Sequence, residues 1–311
     1  MQVAGIRLLG ARVEVIEVNE PRPLADDEVL VEVRAAGVAN WDEFVRTGGW
    51  NVGAKPPMAL GVEAAGEVRA VGRAVTDWTR GNAVITHPVP LRDQGTWAPW
   101  LIAPAALLAP KPRSATWEAA AAFPVPALTA EQVLGEALNV RAGEHLLVNG
   151  AGGVTGGLLV ALGKLRGAQV IATAGPSSAQ RVRALGARHV IDYNDQEWPD
   201  RVRAITRGHG VAAAANAARG GAATAIRAVA NGGRLATITG DPPDTQRGIT
   251  VSSIYVRPDG HQLRRLGEQF EQLGDEHPVV SVASSHRLAD AAQALAKATS
   301  SRSAGAIVLT L

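Results

Sequence analysis

The sequence predicts an α/β protein in two parts, a β-rich part and a doubly wound parallel sheet, and three observations carry that prediction. The first third consists of short stretches in which apolar and polar residues alternate. From about Ala119 the chain changes to short apolar runs alternating with helical segments of about 10 to 15 residues, the pattern of a parallel sheet covered on both faces. One strand-to-helix passage, at residues 149–156, is rich in glycine. The length of 311 residues exceeds the ~100 to 200 of a typical domain, which favours two domains. With 46% hydrophobic and 19% charged residues the chain can bury a core, and global disorder is excluded.

In order along the chain, VAGIRLL, ARVEVIEV and EVLVEVRAAGV read as half-exposed antiparallel strands, with Val29, Val31 and Val33 alternating against Glu28, Glu32 and Arg34. Glycines at 61, 66 and 72 suit a strand that bends or bulges. Between these strands, Asn40-Trp41-Asp42-Glu43-Phe44 begins a short helix, with Asn40 as its expected N-cap and two acids in the first turn. AAAAFPVPALTAEQVLGEALNV reads as helix interrupted at Pro124 and Pro126. Strand-then-helix units follow: HLLVNG with GGVTGGLLVALGKLRG, QVIATAG with SAQRVRALG, HVIDY with a helix near 197–206, VAAAAN with ATAIRAVANG, and the strand RLATITG. After Gly240 the regularity fails. GITVSSIYV is a strand, HQLRRLGEQFEQLG an amphipathic helix with Leu263, Leu266, Phe270 and Leu273 on one face, and AIVLTL a final strand. No repeat or low-complexity linker intervenes, so a cleft between the two architectures is the expected ligand site.

Composition excludes several functions. The chain has no Cys, which removes disulfides, cysteine nucleophiles, iron–sulfur clusters and thiolate-ligated zinc. The pI of 9.3 overstates basicity, because little titrates between His and Lys and the formal charge is only +2. Four of the basic residues are Lys (Lys55, Lys111, Lys164 and Lys297), and the Arg are scattered, which argues against an electrostatic nucleic-acid binder. The start, MQVAGIRLLGARVEV, lacks the basic flank and long apolar region of a signal peptide. The longest uncharged apolar stretch, 97–110, is shorter than a membrane span and carries Pro99, Pro104 and Pro110. A cytoplasmic protein is expected.

The segment 145–166 is the most informative. Strand Leu146-Leu147-Val148 runs into Asn149-Gly150-Ala151-Gly152-Gly153-Val154-Thr155-Gly156 and then a helix. Glycines there permit a tight turn and close approach of a pyrophosphate, whose charge sits at the partly positive helix N-terminus. Tight helix packing in an Ala/Gly-rich chain is the competing explanation; the run of βα units after the turn favours the dinucleotide. A fold that prefers NAD places an acid at the end of the second strand. Residues 171–181, ending in Arg181, contain none, so NADPH is the expected cofactor. Arg181 reads equally as an exposed helix residue, and the missing carboxylate is the stronger half of this inference.

With these residues in view, the chain resembles a zinc-independent medium-chain dehydrogenase/reductase of the quinone oxidoreductase-like branch. The matching segments are EVLVEVRAAGV, LGVEAAGEVRAVG, GTWAPWLIAPAALLAPKP, AAAAFPVPALTA, the turn at 149–156, LGARHVIDY, ANGGRLATITG, YVRPDG and AIVLTL, in the family's order and over nearly the whole length. The resemblance implies a GroES-like partial β-barrel catalytic domain (1–120 and 258–311) and a Rossmann doubly wound parallel sheet that binds NADP (121–257), with the nicotinamide facing the cleft. It implies cofactor contacts from Gly150, Ala151, Gly152, Gly153, Val154, Thr155 and Thr173. It also places Thr129 near the nicotinamide, Thr239 and Gly240 at cofactor ribose, Tyr193 at the 2′-phosphate end, and Tyr255 and Val256 with backbone toward the carboxamide. It further implies a homodimer through edge strands, with 248–255 as the edge.

Departures from the family pattern matter as much. Ala39-Asn40 and Val62 stand where the zinc branch has Cys and His, which excludes catalytic and structural zinc, and lone His87 then reads as a cleft-lining or packing residue rather than a ligand. The family's frequent Lys falls at Ser178, so phosphate binding rests on Ser177, Ser178, Arg181 and Tyr193. A common Asn falls at Ala39 with Asn40 next, a frequent Tyr falls at Phe44, the usual third glycine falls at Thr155 with Gly156 next, Asn216 stands where Asp is frequent, and Ala306 replaces a common Lys.

The implied chemistry is metal-free hydride transfer from NADPH to a quinone or α,β-unsaturated carbonyl compound. Asn40, His87 and Thr129 are candidates for positioning the substrate and its developing oxyanion, and no general acid is assigned. Asp42 reads as capping or supporting the short helix rather than as a catalyst. Trp41, Phe44, Trp50, His87 and Trp97 suit an aromatic or bulky substrate if they line a cleft, and core packing explains each equally well. The alternatives are a non-redox cyclase or isomerase on the same fold that retains NADPH, and a cofactor-gated binding protein. No G-x-S-x-G, H-E-x-x-H or G-K-[ST] motif supports a serine hydrolase, a zincin or a phosphate-loop NTPase.

Overall fold

A computed structural model describes residues 1–272, 280–300 and 305–311. The chain divides into two compact units, Met1–Val125 with Pro258–Leu311, and Pro126–Arg257. The first is β-rich and GroES-like; the second is a Rossmann-like α/β layer.

In the first unit the strand Glu28–Val38 organises a seven-stranded sheet. It pairs antiparallel with Ala64–Val71, with Trp100–Pro104 and with the C-terminal strand Ala306–Thr310, so the end of the chain is stitched into the sheet of the N-terminal segment. Register shifts against Ala64–Val71 occur at Leu30/Val31 and Val33/Ala35, the second beside Gly66, as the glycine pattern suggests. Val29, Val31 and Val33 face the core. On the other face Glu32 stands directly opposite Glu67, a like-charge pair that would repel. Arg34 and Arg69 each contact both carboxylates and offset that repulsion.

Glu28 breaks the expected alternation. It is buried, takes a bidentate pair from Arg22 at 2.7 Å on each oxygen, and accepts the Ala25 N–H. The Arg22 guanidinium holds its carboxyl down to about 2 against the opposing effect of burial. The short helix forms as Asn40–Thr47, but its N-cap is Ala39 rather than Asn40. The side chain that satisfies the cap is that of Asp42, whose Oδ2 accepts the Ala39 N–H at 2.8 Å. The helix Gly260–Glu271 buries Leu263, Leu266 and Phe270, and Phe270 meets Phe123 edge-on with centroids 5.5 Å apart; Leu273 lies outside the described residues.

The two prolines do not interrupt one helix. Trp117–Ala121 ends first, and a new helix, Pro124–Glu131, starts on Pro124 and continues into a π-helical stretch, Gln132–Ala137. Both Pro124 and Pro126 therefore lie in a first turn, where the missing N–H costs nothing.

The second unit is a six-stranded parallel sheet in the order His189–Ile191, Gln169–Thr173, His145–Asn149, Val211–Asn216, Val229–Thr237, Thr250–Ser253. Its core includes Leu147, Ile171, Val202 and Leu235, closed by Trp198. The helix expected over ATAIRAVANG is cut short. Ala222–Ala225 and a 3₁₀ turn, Ile226–Ala228, are all that forms, and Val229 already pairs with Val211. Sheet pairing outweighs the helix propensity of Ala there, and the register shift after Val211 takes up the residues around Gly232.

Candidate active site

The order of the parallel sheet reverses between His145–Asn149 and Val211–Asn216, and ligands of such sheets bind outside the carboxyl ends of the strands at that switch point. Asn149 and Asn216 end those two strands and are register partners. The Asn149 Nδ2 donates to Asn216 Oδ1 at 2.8 Å, joining the strand ends.

The glycine turn leaves the sheet at this point. Gly150 has φ +87°, a conformation that disfavours any side chain, and an added Cβ would stand 2.8 Å from the Ala218 nitrogen. Its N–H donates to Thr173 Oγ1 and that of Ala151 to the Thr173 carbonyl. The helix Val154–Leu165 follows, capped by Gly153 without a side-chain acceptor. Its first intrahelical bond runs from Gly157 to the Gly153 carbonyl, so the N–H groups of Val154, Thr155 and Gly156 precede it and are available to an anion. Gly156 is where the helix approaches the turn: a Cβ there would lie 2.1 Å from the Gly150 carbonyl oxygen. The close-packing role that the family pattern assigns to position 155 is taken by Gly156.

Two of the residues expected to contact the cofactor have their side chains engaged within the protein. Thr173 is fully buried; its hydroxyl donates to Asn149 Oδ1 at 2.6 Å and accepts from Gly150, so it supports the turn. Ser178 is buried and its hydroxyl donates back to the Gly175 carbonyl. Ser177 is exposed. Tyr193 is partly exposed and its ring lies against Gly175, where a Cβ would come within 3.1 Å. Arg181 is neither free nor simply solvated: its Nη2 donates to the Gly152 carbonyl at 2.5 Å, and burial lowers its pKa. Of the four residues expected to hold a 2′-phosphate, Arg181 is tied to the turn itself and Ser178 to Gly175.

At the same carboxyl end of the sheet lies a polar network that sequence reasoning does not single out. Asp241 Oδ1 accepts from the Thr239 hydroxyl at 2.5 Å and the Thr237 hydroxyl at 2.7 Å, and its Oδ2 accepts the Ala222 N–H at 3.3 Å. Burial raises its pKa, but the two hydroxyls and the N–H outweigh that and hold the carboxyl below the ordinary value. Asn216 Nδ2 faces the same group, within 3.0 Å of Thr237 Oγ1 and 3.1 Å of Thr239 Oγ1. The signal available in the sequence was an Asn at the end of each of two strands, followed by T-I-T-G-D. Beyond it, Gly240 lies 3.8 Å, measured from an added Cβ, from the hydroxyl of exposed Tyr255, and Val256 is half-buried. Asn216→Ala leaves Asn149, Thr237 and Thr239 short of partners, and a loss of about 1 to 3 kcal/mol in urea unfolding is expected; an unchanged midpoint and slope would show the network to be dispensable.

Asn40 and His87 belong to the first unit and Thr129 to the second. Thr129 is buried on the helix Pro124–Glu131. Asn40 is half-buried at the first position of its helix. His87 is 1% exposed, with Nδ1 at 2.7 Å from the Val62 carbonyl oxygen. A carbonyl only accepts, so Nδ1 carries the proton. Burial pushes the ring's pKa down to about 4 against the opposing effect of Val62, so His87 is neutral and its Nε2 is a lone pair without a partner.

Trp50 packs on the imidazole at 6.0 Å, tilted by 53°. Trp97 is fully buried with its Nε1 donating to the Gly37 carbonyl, so it is a core residue, while Phe44 is exposed. Two buried carboxyls sit in the same unit. Asp42 is 0% exposed and burial pushes it up to about 8, opposed by the Ala39 N–H. Burial also raises Glu63 well above its ordinary value, opposed by the Val125 N–H at 2.9 Å and reinforced by the charge of Asp42. Among the described residues no group of three or more His, Cys, Asp or Glu side chains is arranged to hold a metal ion, and no helix is long and apolar enough to cross a membrane.

A GroES-like β unit joined to a Rossmann-like sheet with a glycine turn at its switch point defines the class of the molecule. The alcohol dehydrogenase GroES-like domain matches residues 25–113 and the zinc-binding dehydrogenase family residues 154–258, and the chain belongs to the medium-chain dehydrogenase/reductase family. It is 32% identical to a 2-haloacrylate reductase of a Burkholderia species over 64% of this chain and 59% of that protein. It is 35% identical to the erythronolide synthase EryA2 of Saccharopolyspora erythraea over 64% of this chain. The chain thus spans about three-fifths of the first relative and only 5% of the second. A solved NAD-dependent alcohol dehydrogenase superposes over 100% of both chains with a TM-score of 0.87 at 29% identity.

Proposed function

We propose that the protein is a metal-free, NADPH-dependent reductase that delivers hydride to a quinone or an α,β-unsaturated carbonyl compound. The observation that carries this reading is the glycine turn at the sheet's switch point, whose second strand ends at 171–181 without a carboxylate. The lack of Cys in the sequence, with Ala39-Asn40 and Val62 where zinc-dependent relatives are expected to carry ligands, supports a metal-free reaction. The name of the related 2-haloacrylate reductase supports reduction of an activated double bond.

NADPH, when bound, supplies the hydride. The chain's own part is to hold and orient. The N–H groups of Val154, Thr155 and Gly156 face the pyrophosphate, while Gly150, Ala151, Gly152 and Gly153 allow its close approach. Ser177, Arg181 and Tyr193 serve the 2′-phosphate, Thr239 and Gly240 the ribose, and the backbone of Tyr255 and Val256 the carboxamide. Asn40 and Thr129 are the donors proposed for the developing oxyanion, and solvent supplies the proton.

Loss of NADPH absorbance with a panel of quinones and enones is the test; product formed without NADPH oxidation would point instead to a cyclase or isomerase. The solved relative is named for NAD, so cofactor choice needs its own measurement. Fluorescence titration is expected to show tighter binding of NADPH than of NADH by about tenfold, a margin of ~1.4 kcal/mol; NADH binding as well or better would sink the assignment. The strand Thr250–Ser253 is an edge of the sheet, and a homodimer through residues 248–255 is part of this reading, to be checked by light scattering.

A further inference from the structure

The parallel sheet of the second unit ends on the strand His189–Ile191, which pairs with Gln169–Thr173 alone and leaves its other edge open. Successive backbone groups of a strand point to opposite sides. The Arg188 N–H donates inward to the Val170 carbonyl at 2.8 Å, so the N–H and carbonyl of His189 point out of the sheet, as at any free edge.

A groove of about 440 Å³ lies at this edge. Its basic side chains are Arg183 from the helix Pro176–Ala184, Arg188 and His189 from the strand and its approach, and Arg201 from the helix Trp198–Ile205. Val190, Ile191 and Ile205 give it a half-buried apolar floor, and no acid lines it among the described residues. The whole groove lies within Pro126–Arg257, and no residue of the glycine turn takes part. Arg201 is paired with Asp195, and Arg188 donates to Gln169 Oε1 at 3.1 Å. The side chains of Arg183 and His189 have no hydrogen bond or ion pair among the described residues.

Three features together specify what the groove would take. The outward N–H and carbonyl of His189 match an extended backbone. The guanidinium groups, always charged, match carboxylates. A second copy of this chain brought edge to edge would set the same arginines against one another, so like charge excludes it and leaves the edge to a partner of opposite sign. The apolar floor calls for apolar side chains, which a free phosphate or sulfate lacks.

We propose that the edge His189–Ile191 is a docking site for a partner protein, which adds an extended acidic segment with apolar residues among its acids as a further strand of the sheet. The backbone of the segment bonds to His189, its carboxylates meet Arg183, Arg188 and Arg201, and its apolar side chains cover Val190, Ile191 and Ile205. The proposal is independent of the reductase reading.

The probe is the fluorescein-labelled peptide GDEVIEVDG, followed by fluorescence anisotropy as wild-type protein is added. Binding is expected to saturate with a Kd of about 100 μM or tighter. It should weaken severalfold as salt rises from about 0.05 to about 0.3 M. The same peptide N-methylated throughout keeps every side chain but cannot donate from its backbone, and polyglutamate of equal length keeps the charge but not the apolar residues. Each is expected to bind at least about tenfold more weakly, and so is the unmodified peptide to the exposed-residue double variant Arg183→Glu, Arg188→Glu. No saturation up to about 1 mM overturns the proposal. So does equal affinity for the N-methylated peptide or for polyglutamate, which would show a charged surface only, or an affinity unchanged in the double variant, which would place binding elsewhere. The three peptides need only wild-type protein, so they decide the matter should the double variant not fold.

Discussion

Gly156→Val is expected to abolish dinucleotide binding and to lower the melting temperature of the protein. A Cβ at this position would stand 2.1 Å from the Gly150 carbonyl oxygen, 2.8 Å from the Ala151 Cα and 2.9 Å from the Gly150 carbonyl carbon. All three atoms are backbone, so no rotamer change can relieve the clash, and the helix must move away from the turn. Overpacking of this kind costs about 1 to 3 kcal/mol. The larger loss is in binding, since the N–H groups of residues 154–156 are displaced from the turn they complete. A fall of at least about 100-fold in NADPH affinity is expected, equivalent to ~2.7 kcal/mol. Gly153→Ala is the comparison for stability, because its Cβ would meet nothing nearer than the Gly150 carbonyl oxygen at 3.9 Å. If Gly156→Val titrates with NADPH as the wild type does, the turn is not the binding site.

The second large effect is on stability against pH. Asp42 is held protonated up to about pH 8 in the folded protein and titrates near 3.8 when unfolded. Between these values the native state carries a proton that the unfolded chain lacks, so the stability Asp42 contributes is complete below the lower value and is lost as pH rises through the upper one. His87 acts in the opposite sense: with a folded value of about 4 against 6.5, it adds stability as pH rises through that window. The two oppose each other below about pH 6.5, and the acids act alone above it. Unfolding free energy is therefore expected to decline from about pH 6.5 to about pH 8 by up to ~1.4 kcal/mol per pH unit for Asp42, with Glu63 adding to the slope. Asp42→Asn, nearly isosteric and uncharged, should remove one proton's share of that decline. Parallel stability curves for wild type and Asp42→Asn in urea melts across this range would show that Asp42 is ionised in the fold.

Much of the second unit was legible because its signals are local. Alternating apolar strands and helices, the glycines after Asn149 and the missing acid in 171–181 are all read within a few residues of one another. The short helix at Asn40 was legible too, though its cap was not. Asn40 had the right side chain for a cap, but Asp42 reaches back to Ala39 from inside the helix. The prolines at 124 and 126 are ambiguous for a related reason, since a proline that breaks a helix and one that starts it look alike until the preceding turn is known.

What escaped the sequence depended on partners far along the chain. Thr173 props Asn149, 24 residues away. Asp241 drew no notice, yet it gathers Thr237, Thr239 and Asn216 at the end of the sheet. Arg181 offered two readings, and its bond to the Gly152 carbonyl is a third.

By itself the sequence determined the two-part α/β architecture, the place of the glycine turn and the exclusion of thiolate metal sites, because periodicity, glycine spacing and the absence of a residue type are properties of the linear chain. Only the tertiary structure decided which glycine carries the close approach, which carboxyls are buried and which nitrogen of His87 holds its proton. Each of those depends on what is withheld from water and on which distant carbonyl stands within hydrogen-bond reach, and burial and hydrogen-bond partners exist only once the chain has folded.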